Sequence, residues 1–335
     1  MRASLAAAVV AVFLASASLL SQTAPTQPPS RAASQSPFQD RVPDSPRQLA
    51  QQADTDKTWR EASEGVMQME KITFRSKVGD LDIPAFVFQP LHLRGRRGHP
   101  ALVWVHENIR GHLYEHYIPY IREAIAKGYV VIAPEYRGSI GYGKELYDAI
   151  DYGGSEVDDV VSAMDVLKEK YPHVDPARVG IIGWSHGGMI TLLSIFRNPV
   201  TFKAAVALVP VTNLFQRLAW KGVERQHQAI DPQNRYGGLP FERHDIYKDR
   251  SPLYSVDKLQ IPLLVHVTRN DEDVNIEEDM QPPGGHTFDR RVNAKTWQPE
   301  NTREQRDSWN RVWTFLDWHL DPFHDASTPT SSSGQ

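Results

Sequence analysis

Three side chains able to supply a nucleophile, a base and an orienting acid occur in the chain order Ser…Asp…His. The nucleophile candidate is Ser185, in Gly183-Trp184-Ser185-His186-Gly187-Gly188. An apolar run, Val179 to Trp184, precedes it, and the apolar stretch Met189 to Phe196 follows. Strand, sharp turn and helix in that order are what a nucleophile elbow requires. Glycines at 183 and 187 remove side chains that would collide where strand and helix approach. The N–H of His186, at the helix start, is then aimed at a developing oxyanion.

A serine needs a base, and the base needs an acid to hold its tautomer. Asp271 follows an apolar run, Leu263 to Thr268, and takes the place of an acid at a strand's C-terminal end. Asp273 is the alternative. Of the three later histidines, His319 falls in a helical pattern and His324 in the tail. His286 sits on the Gly/Pro loop Pro282-Pro283-Gly284-Gly285 and is the base candidate. A second oxyanion donor is expected from His106-Glu107-Asn108, after the run ending at Val105, with the backbone N–H of Asn108 the candidate. His112 and His116 share an i, i+4 spacing, but no third ligand accompanies them. They are read as solvent-facing, with no metal site.

The elements that must position these groups alternate in type. Met69–Ser76 and Leu81–Gln89 flank Gly79-Asp80 and form a hairpin. Buried strands are expected at 101–105, 129–133, 179–184, 204–209 and 263–268. Between them lie helices at 117–126, stopped by Gly128, and around Val157, Val160, Val161, Met164 and Leu167. A last amphipathic helix runs through Trp309, Val312, Trp313, Leu316 and Leu320, closed by Pro322. Continuous apolar strands alternating with helices mean an α/β fold with a mostly parallel sheet covered on both faces. Phe215 to Ser251 reads as a lid or cap insertion, with a plain surface loop the alternative.

Across its 335 residues the chain has no cysteine, which excludes disulfides, thiolate chemistry and cysteine zinc sites. A net charge of −4 gives no case for nucleic acid. Arg2 followed by the apolar Leu5–Leu20 reads as a secretory signal, residues 1–21, so the mature protein is expected to be secreted or periplasmic without stable membrane insertion. Residues 22–57, rich in Pro, Ser, Gln and Ala, are expected to be a disordered linker. The catalytic domain is expected over 58–322 and a disordered tail over 323–335.

The motifs together resemble the α/β-hydrolase superfamily, in the branch of prolyl oligopeptidase catalytic domains and dienelactone hydrolases. The resemblance covers roughly Glu70 to Leu320. It is carried by Gly183–Gly188, by Ala133–Ser139 running on to Gly141-Tyr142-Gly143, by Gly154–Val160 and by Pro262–Val274. Tyr136-Arg137-Gly138-Ser139 is closer to the oligopeptidases, and His106-Glu107-Asn108 to the dienelactone hydrolases, where a glutamate lies beside the nucleophile. Val274, three residues after Asp271, fits the peptidase pattern for the acid. The resemblance implies an acyl-enzyme mechanism, no cofactor, and a small ester or short peptide as substrate.

Two departures are visible. The region before the catalytic domain is too short for the oligopeptidase propeller, which points toward an esterase-like range. His286 follows Asp271 by only 15 positions, where the family's intervening helix and strand would take roughly 25 residues. The domain is therefore expected to be shortened between acid and histidine, with an edge strand lost. A non-catalytic binding protein of the same fold is the alternative function.

Overall fold

The computed structural model describes residues 45–93, 98–220, 236–268, 271, 286 and 292–322. All lie in one compact unit, Asp40–Gln335. The expected signal segment, residues 22–44 of the linker and the tail fall outside the described residues.

Seven described strands form one sheet: β1 (Met67–Arg75), β2 (Asp82–Pro90), β3 (His99–Val105), β4 (Val130–Pro134), β5 (Val174–Trp184), β6 (Ala204–Leu208) and β7 (Leu263–His266). Their spatial order is β1-β2-β4-β3-β5-β6-β7. The hairpin β1–β2 and the β2–β4 pair are antiparallel, and every other pair is parallel. The expected α/β-hydrolase sheet is thus present. β3, β4 and β6 are buried along their whole length, which is why they read as unbroken apolar runs.

Helices cover both faces. α4 (Glu156–Lys170) and α5 (His186–Arg197) pack on each other and on the central strands. The second layer contains α2 (Ile118–Lys127) and the C-terminal helix α8 (Arg303–Leu320). Trp309 of α8 stacks on Tyr120 of α2, ring centroids 3.9 Å apart, and on Trp104 of β3 at 6.4 Å. α2 stops where expected, at Gly128, whose φ of 97° suits glycine. α8 starts earlier than its apolar face, at a capping box formed by Thr302 and Gln305. Shorter helices are α3 (Lys144–Asp148), α6 (Leu214–Trp220) and α7 (His244–Asp249).

One expectation is corrected. The disordered linker expected over 22–57 does not extend past Ser45: α1 occupies Pro46–Ser63, capped by the Ser45 hydroxyl, which accepts from Gln48 N–H. Its buried face includes Gln48, Gln52 and Thr55 before Trp59 and Ala62. A polar buried face carries no hydrophobic period, so pattern reading misses it. Hydrogen bonds hold much of that face in place instead. Gln52 Nε2 donates to the Tyr142 hydroxyl (3.0 Å), Thr55 Oγ1 to Glu115 (2.6 Å), and Trp59 Nε1 to Leu113 O (3.0 Å). β5 is also longer than its apolar run, because Val174–Arg178 precedes that run in the strand with three of its five residues partly or fully exposed.

β7 stands at the edge of the described sheet, and all four of its residues are only half-buried. Residues 272–285, where the missing helix and strand were expected, lie outside the described residues. His266 of β7 is tied to α8 by Ser308 Oγ, 2.9 Å from its Nδ1. Among the described residues, no helix is long and apolar enough to cross a membrane.

Trp59 anchors α1 on the hairpin, its ring 4.8 Å from that of Phe88 and fully buried. Trp59→Ala is expected to cost about 3–5 kcal/mol by the usual price of an emptied aromatic site. Denaturant unfolding would show it, and a loss below 1 kcal/mol would mean α1 is not part of the folded unit.

Candidate active site

The end of β5 turns sharply into α5 at Ser185, whose backbone sits at φ 53°, ψ −113°. Two hydrogen bonds hold it there: Ser185 N–H donates to Leu208 O of β6 (2.9 Å), and Met189 N–H to Ser185 O (3.0 Å). A Cβ on Gly183 would come within 2.2 Å of Gly187 O, and one on Gly187 within 2.2 Å of Val105 O. Glycine at both positions is therefore a steric requirement.

The structure brings Ser185, Asp271 and His286 together. His286 Nε2 lies 2.7 Å from Ser185 Oγ. His286 Nδ1 lies 2.9 Å from Asp271 Oδ2 and 3.1 Å from Oδ1. Asp271 is buried, and the histidine is slightly more open. With Nδ1–H donated to the carboxylate, Nε2 is left as acceptor for the serine proton. Asp273 falls outside the described residues.

The loop after β3 runs beside this turn, because Val105 pairs with Gly183 in the sheet. Asn108 adopts φ 65°. The Tyr136 hydroxyl holds the loop from behind with a shared hydrogen bond to His106 O (3.0 Å) and Asn108 O (2.9 Å). Gly111 closes the loop, and a Cβ there would reach Glu107 O at 2.3 Å. Glu107 is buried, and its carboxylate accepts from the Tyr117 hydroxyl and lies 3.4 Å from His116 Nε2. α1 braces the far end of the same loop through Gln51, Thr55 and Trp59.

His112 is not solvent-facing as expected from its spacing. It is buried, with Gln51 Nε2 3.3 Å from its Nε2 and Tyr114 against its ring. The spacing looked exposed because the helix that covers it was unseen. Among the described residues, no three His, Asp or Glu side chains group as metal ligands.

Behind the loop two groups are held uncharged by burial. Desolvation lowers the His106 pKa to about 3, against a bond to Glu107 O that favours the cation. Its Nδ1–H donates to Glu107 O (2.8 Å), and its Nε2 accepts from Ser139 Oγ (3.1 Å). Burial pushes the Glu135 carboxyl up to about 8, although it accepts from Leu113 N–H at 2.9 Å. Next to both, Arg137 makes a buried two-point bridge to Asp159, Nε–Oδ2 2.8 Å and Nη2–Oδ1 2.7 Å. Breaking one side of such a bridge costs about 3–5 kcal/mol.

A contact that the sequence reading did not single out is that of Glu156 with His186. Glu156 Oε1 lies 2.6 Å from His186 Nε2 and also accepts from Gly153 N–H at 2.9 Å. The residue whose N–H is the oxyanion candidate is thereby clamped through its own side chain to the first turn of α4. The acidic first turn of that helix was the available signal.

The sequence model described as the prolyl oligopeptidase family matches residues 117–282. The resemblance read from the sequence is borne out. The chain is 31% identical over 218 residues to a Bacillus subtilis (strain 168) protein named uncharacterized peptidase YuxL, covering 63% of this chain and 32% of that one. It is 28% identical over 164 residues to acylamino-acid-releasing enzyme 1 of Oryza sativa subsp. japonica, covering 47% and 21%. Among solved structures, Pyrococcus horikoshii acylaminoacyl peptidase superposes with a TM-score of 0.64 at 17% identity, over 82% of this chain and 45% of that one, a likeness of fold. The chain thus spans about a third or less of the length of these two curated relatives.

Two outcomes test the site. Gly187→Ala is expected to destabilise by about 1–3 kcal/mol through overpacking and to disrupt the turn, read by thermal unfolding together with serine labelling. A variant of full stability and labelling would contradict the close approach. For Glu135, the folded carboxyl keeps its proton between its ordinary 4.5 and about 8, where the unfolded one has lost it. The folded state binds more protons there, so stability from this group falls as pH rises across that window and is flat above it. Glu135→Gln should therefore gain in Tm relative to the parent as pH goes from 5 to 8. A pH-independent difference would mean the carboxyl is ionised in the fold.

Proposed function

We propose that the chain is a serine hydrolase of the prolyl oligopeptidase type that cleaves peptide or ester bonds through an acyl-enzyme. The single observation that carries this reading is the continuous relay from Ser185 Oγ to His286 Nε2 (2.7 Å) and from His286 Nδ1 to Asp271 (2.9 Å). A relay of that geometry has one evident chemical use.

In the first step Ser185 Oγ forms a bond to the substrate carbonyl carbon while His286 Nε2 takes its proton. Asp271 holds the histidine tautomer and faces the imidazolium that results. The N–H groups of His186 and Asn108 are assigned to the oxyanion, each such donor contributing about 3–4 kcal/mol at the transition state. Collapse breaks the bond to the leaving group, which receives the proton from His286. Water, activated by the same histidine, then releases the acyl group and restores Ser185.

The matched relatives carry peptidase names, which supports a short peptide as substrate, while small esters fall within the same chemistry. The reading of Phe215–Ser251 as a cap is part of the proposal; residues 221–235 lie outside the described residues, and α6 and α7 on either side of them pack on each other. Secretion through a signal at residues 1–21 is part of the proposal and rests on the sequence alone.

The test is hydrolysis of p-nitrophenyl acetate and of N-acylated and free aminoacyl p-nitroanilides by the parent and by Ser185→Ala. Loss of about six orders of magnitude in kcat is expected for the variant, with its unfolding midpoint preserved. Equal turnover by the variant would contradict the assignment of the nucleophile, and folded parent without turnover would favour the binding-protein alternative. Anilide against ester rates decide between peptidase and esterase.

A further inference from the structure

His186 follows the nucleophile and opens α5, so its N–H has no acceptor within the helix. The peptide that carries this N–H is held at its carbonyl end, where Ser185 O accepts from Met189 N–H at 3.0 Å. At its other end stands the His186 side chain, only 3% exposed, with Nε2 2.6 Å from Glu156 Oε1. Glu156 is fully buried, and the same oxygen accepts from Gly153 N–H at 2.9 Å. The remaining atoms of the pair, Glu156 Oε2 and His186 Nδ1, are buried without a hydrogen-bond partner among the described residues. With Nε2–H donated to the carboxylate, the His186 ring has no second polar anchor.

Such a pair is a poor device for stability alone. It leaves two buried acceptors unsatisfied, and apolar residues of similar volume often serve as well in such a place. A native fold that keeps it needs another reason. The neighbours supply one. The His186 ring lies between Tyr152, at 4.5 Å, and Tyr136, at 6.0 Å. Tyr136 is the residue whose hydroxyl holds His106 O and Asn108 O. The two segments assigned to the oxyanion therefore meet at one ring.

The turn that presents Glu156 is tied down independently of His186. Asp151 Oδ2 accepts from both the N–H and the hydroxyl of Ser155, each at 3.0 Å. Arg250 Nη2 lies 2.7 Å from the other oxygen of Asp151, and its Nη1 donates to Tyr152 O at 3.0 Å. Gly153 has φ 71°, and a Cβ there would come within 2.5 Å of Met189 Cε in α5. The carboxylate also sits in the first turn of α4, the end of a helix that favours negative charge. Glu156 is thus a fixed point against which the His186 ring can be set.

We propose that Glu156 is a positioning residue for the reaction: by holding Nε2 of His186 it fixes the peptide whose N–H faces the oxyanion. This rests on the acyl-enzyme reading above and adds to it a residue outside the relay of Ser185, His286 and Asp271.

The experiment compares p-nitrophenyl acetate with its thiono counterpart, in which sulfur replaces the carbonyl oxygen. Sulfur accepts hydrogen bonds poorly, so the oxo-to-thiono ratio of kcat/KM reads the oxyanion donors rather than folding. The proteins are the parent, Glu156→Gln, Glu156→Ala, His186→Ala and the double alanine variant, each checked by thermal unfolding. On the oxo ester Glu156→Ala should lose about 10- to 100-fold in kcat and in kcat/KM together, the scale of a displaced group, with a smaller oxo-to-thiono ratio. Glu156→Gln keeps an acceptor oxygen and should recover most of the loss. The double variant should lose no more than either single one, because both remove the same contact. A folded Glu156→Ala with the parent's ratio, or losses that multiply in the double variant, would overturn the proposal and leave the serine chemistry standing. Should Glu156→Ala not fold, His186→Ala decides, since it keeps the backbone N–H: its ratio must fall, and the parent's ratio there would overturn the proposal. A folded parent that turns over neither ester would overturn the acyl-enzyme reading, and the positioning role with it.

Discussion

The backbone of Ser185 is held in a region that non-glycine residues enter only under compulsion, at a cost of about 1–3 kcal/mol. What compels it is the meeting of β5, α5, β6 and the end of β3 within a few ångströms. Leu208 O fixes the turn from one side, Met189 N–H continues it into α5, and the glycines at 183 and 187 let the segments touch. The parallel register that pairs Val105 with Gly183 and Trp184 with Leu208 serves this one junction. The strain puts the hydroxyl above the sheet, where His286 reaches it.

The rim around that junction is built from buried polar groups that hydrogen-bond one another. Tyr136 ties down two carbonyls of the loop after β3, while His106, neutral, and Glu135, protonated, stand behind it. Arg137 and Asp159 lock the loop after β4 to α4, and Ser76 Oγ adds a donor to Asp159 at 2.6 Å. α1 closes the set by bonding to residues 112–115 and to Tyr142. The loop after β3 is therefore held by a helix 54 to 61 positions earlier in the chain. Glu156 extends the same logic to His186, the residue after the nucleophile.

Most of the fold was legible because its signals are local. Runs such as Ala101–Val105 and Ala204–Leu208 are buried on both sides and can be little else, and the face Val157, Val160, Val161, Met164, Leu167 has one helical reading. The order Ser, Asp, His could be read from position after core strands, but that Asp271 meets His286 needed three-dimensional proximity. α1 was missed because its buried side chains are glutamines and threonine, whose burial depends on partners 60 to 90 positions away. His112 was misjudged for the same reason. The Glu156–His186 contact joins residues 30 positions apart, which no spacing rule anticipates.

The central claim is that Ser185 is an activated nucleophile in the folded chain. Intact mass spectrometry after treatment with a fluorophosphonate tests it most directly. One adduct per chain is expected, located at Ser185 by peptide mapping and absent after prior heat denaturation. A folded protein that takes no adduct, or takes it equally in the denatured state or at another serine, would contradict the account.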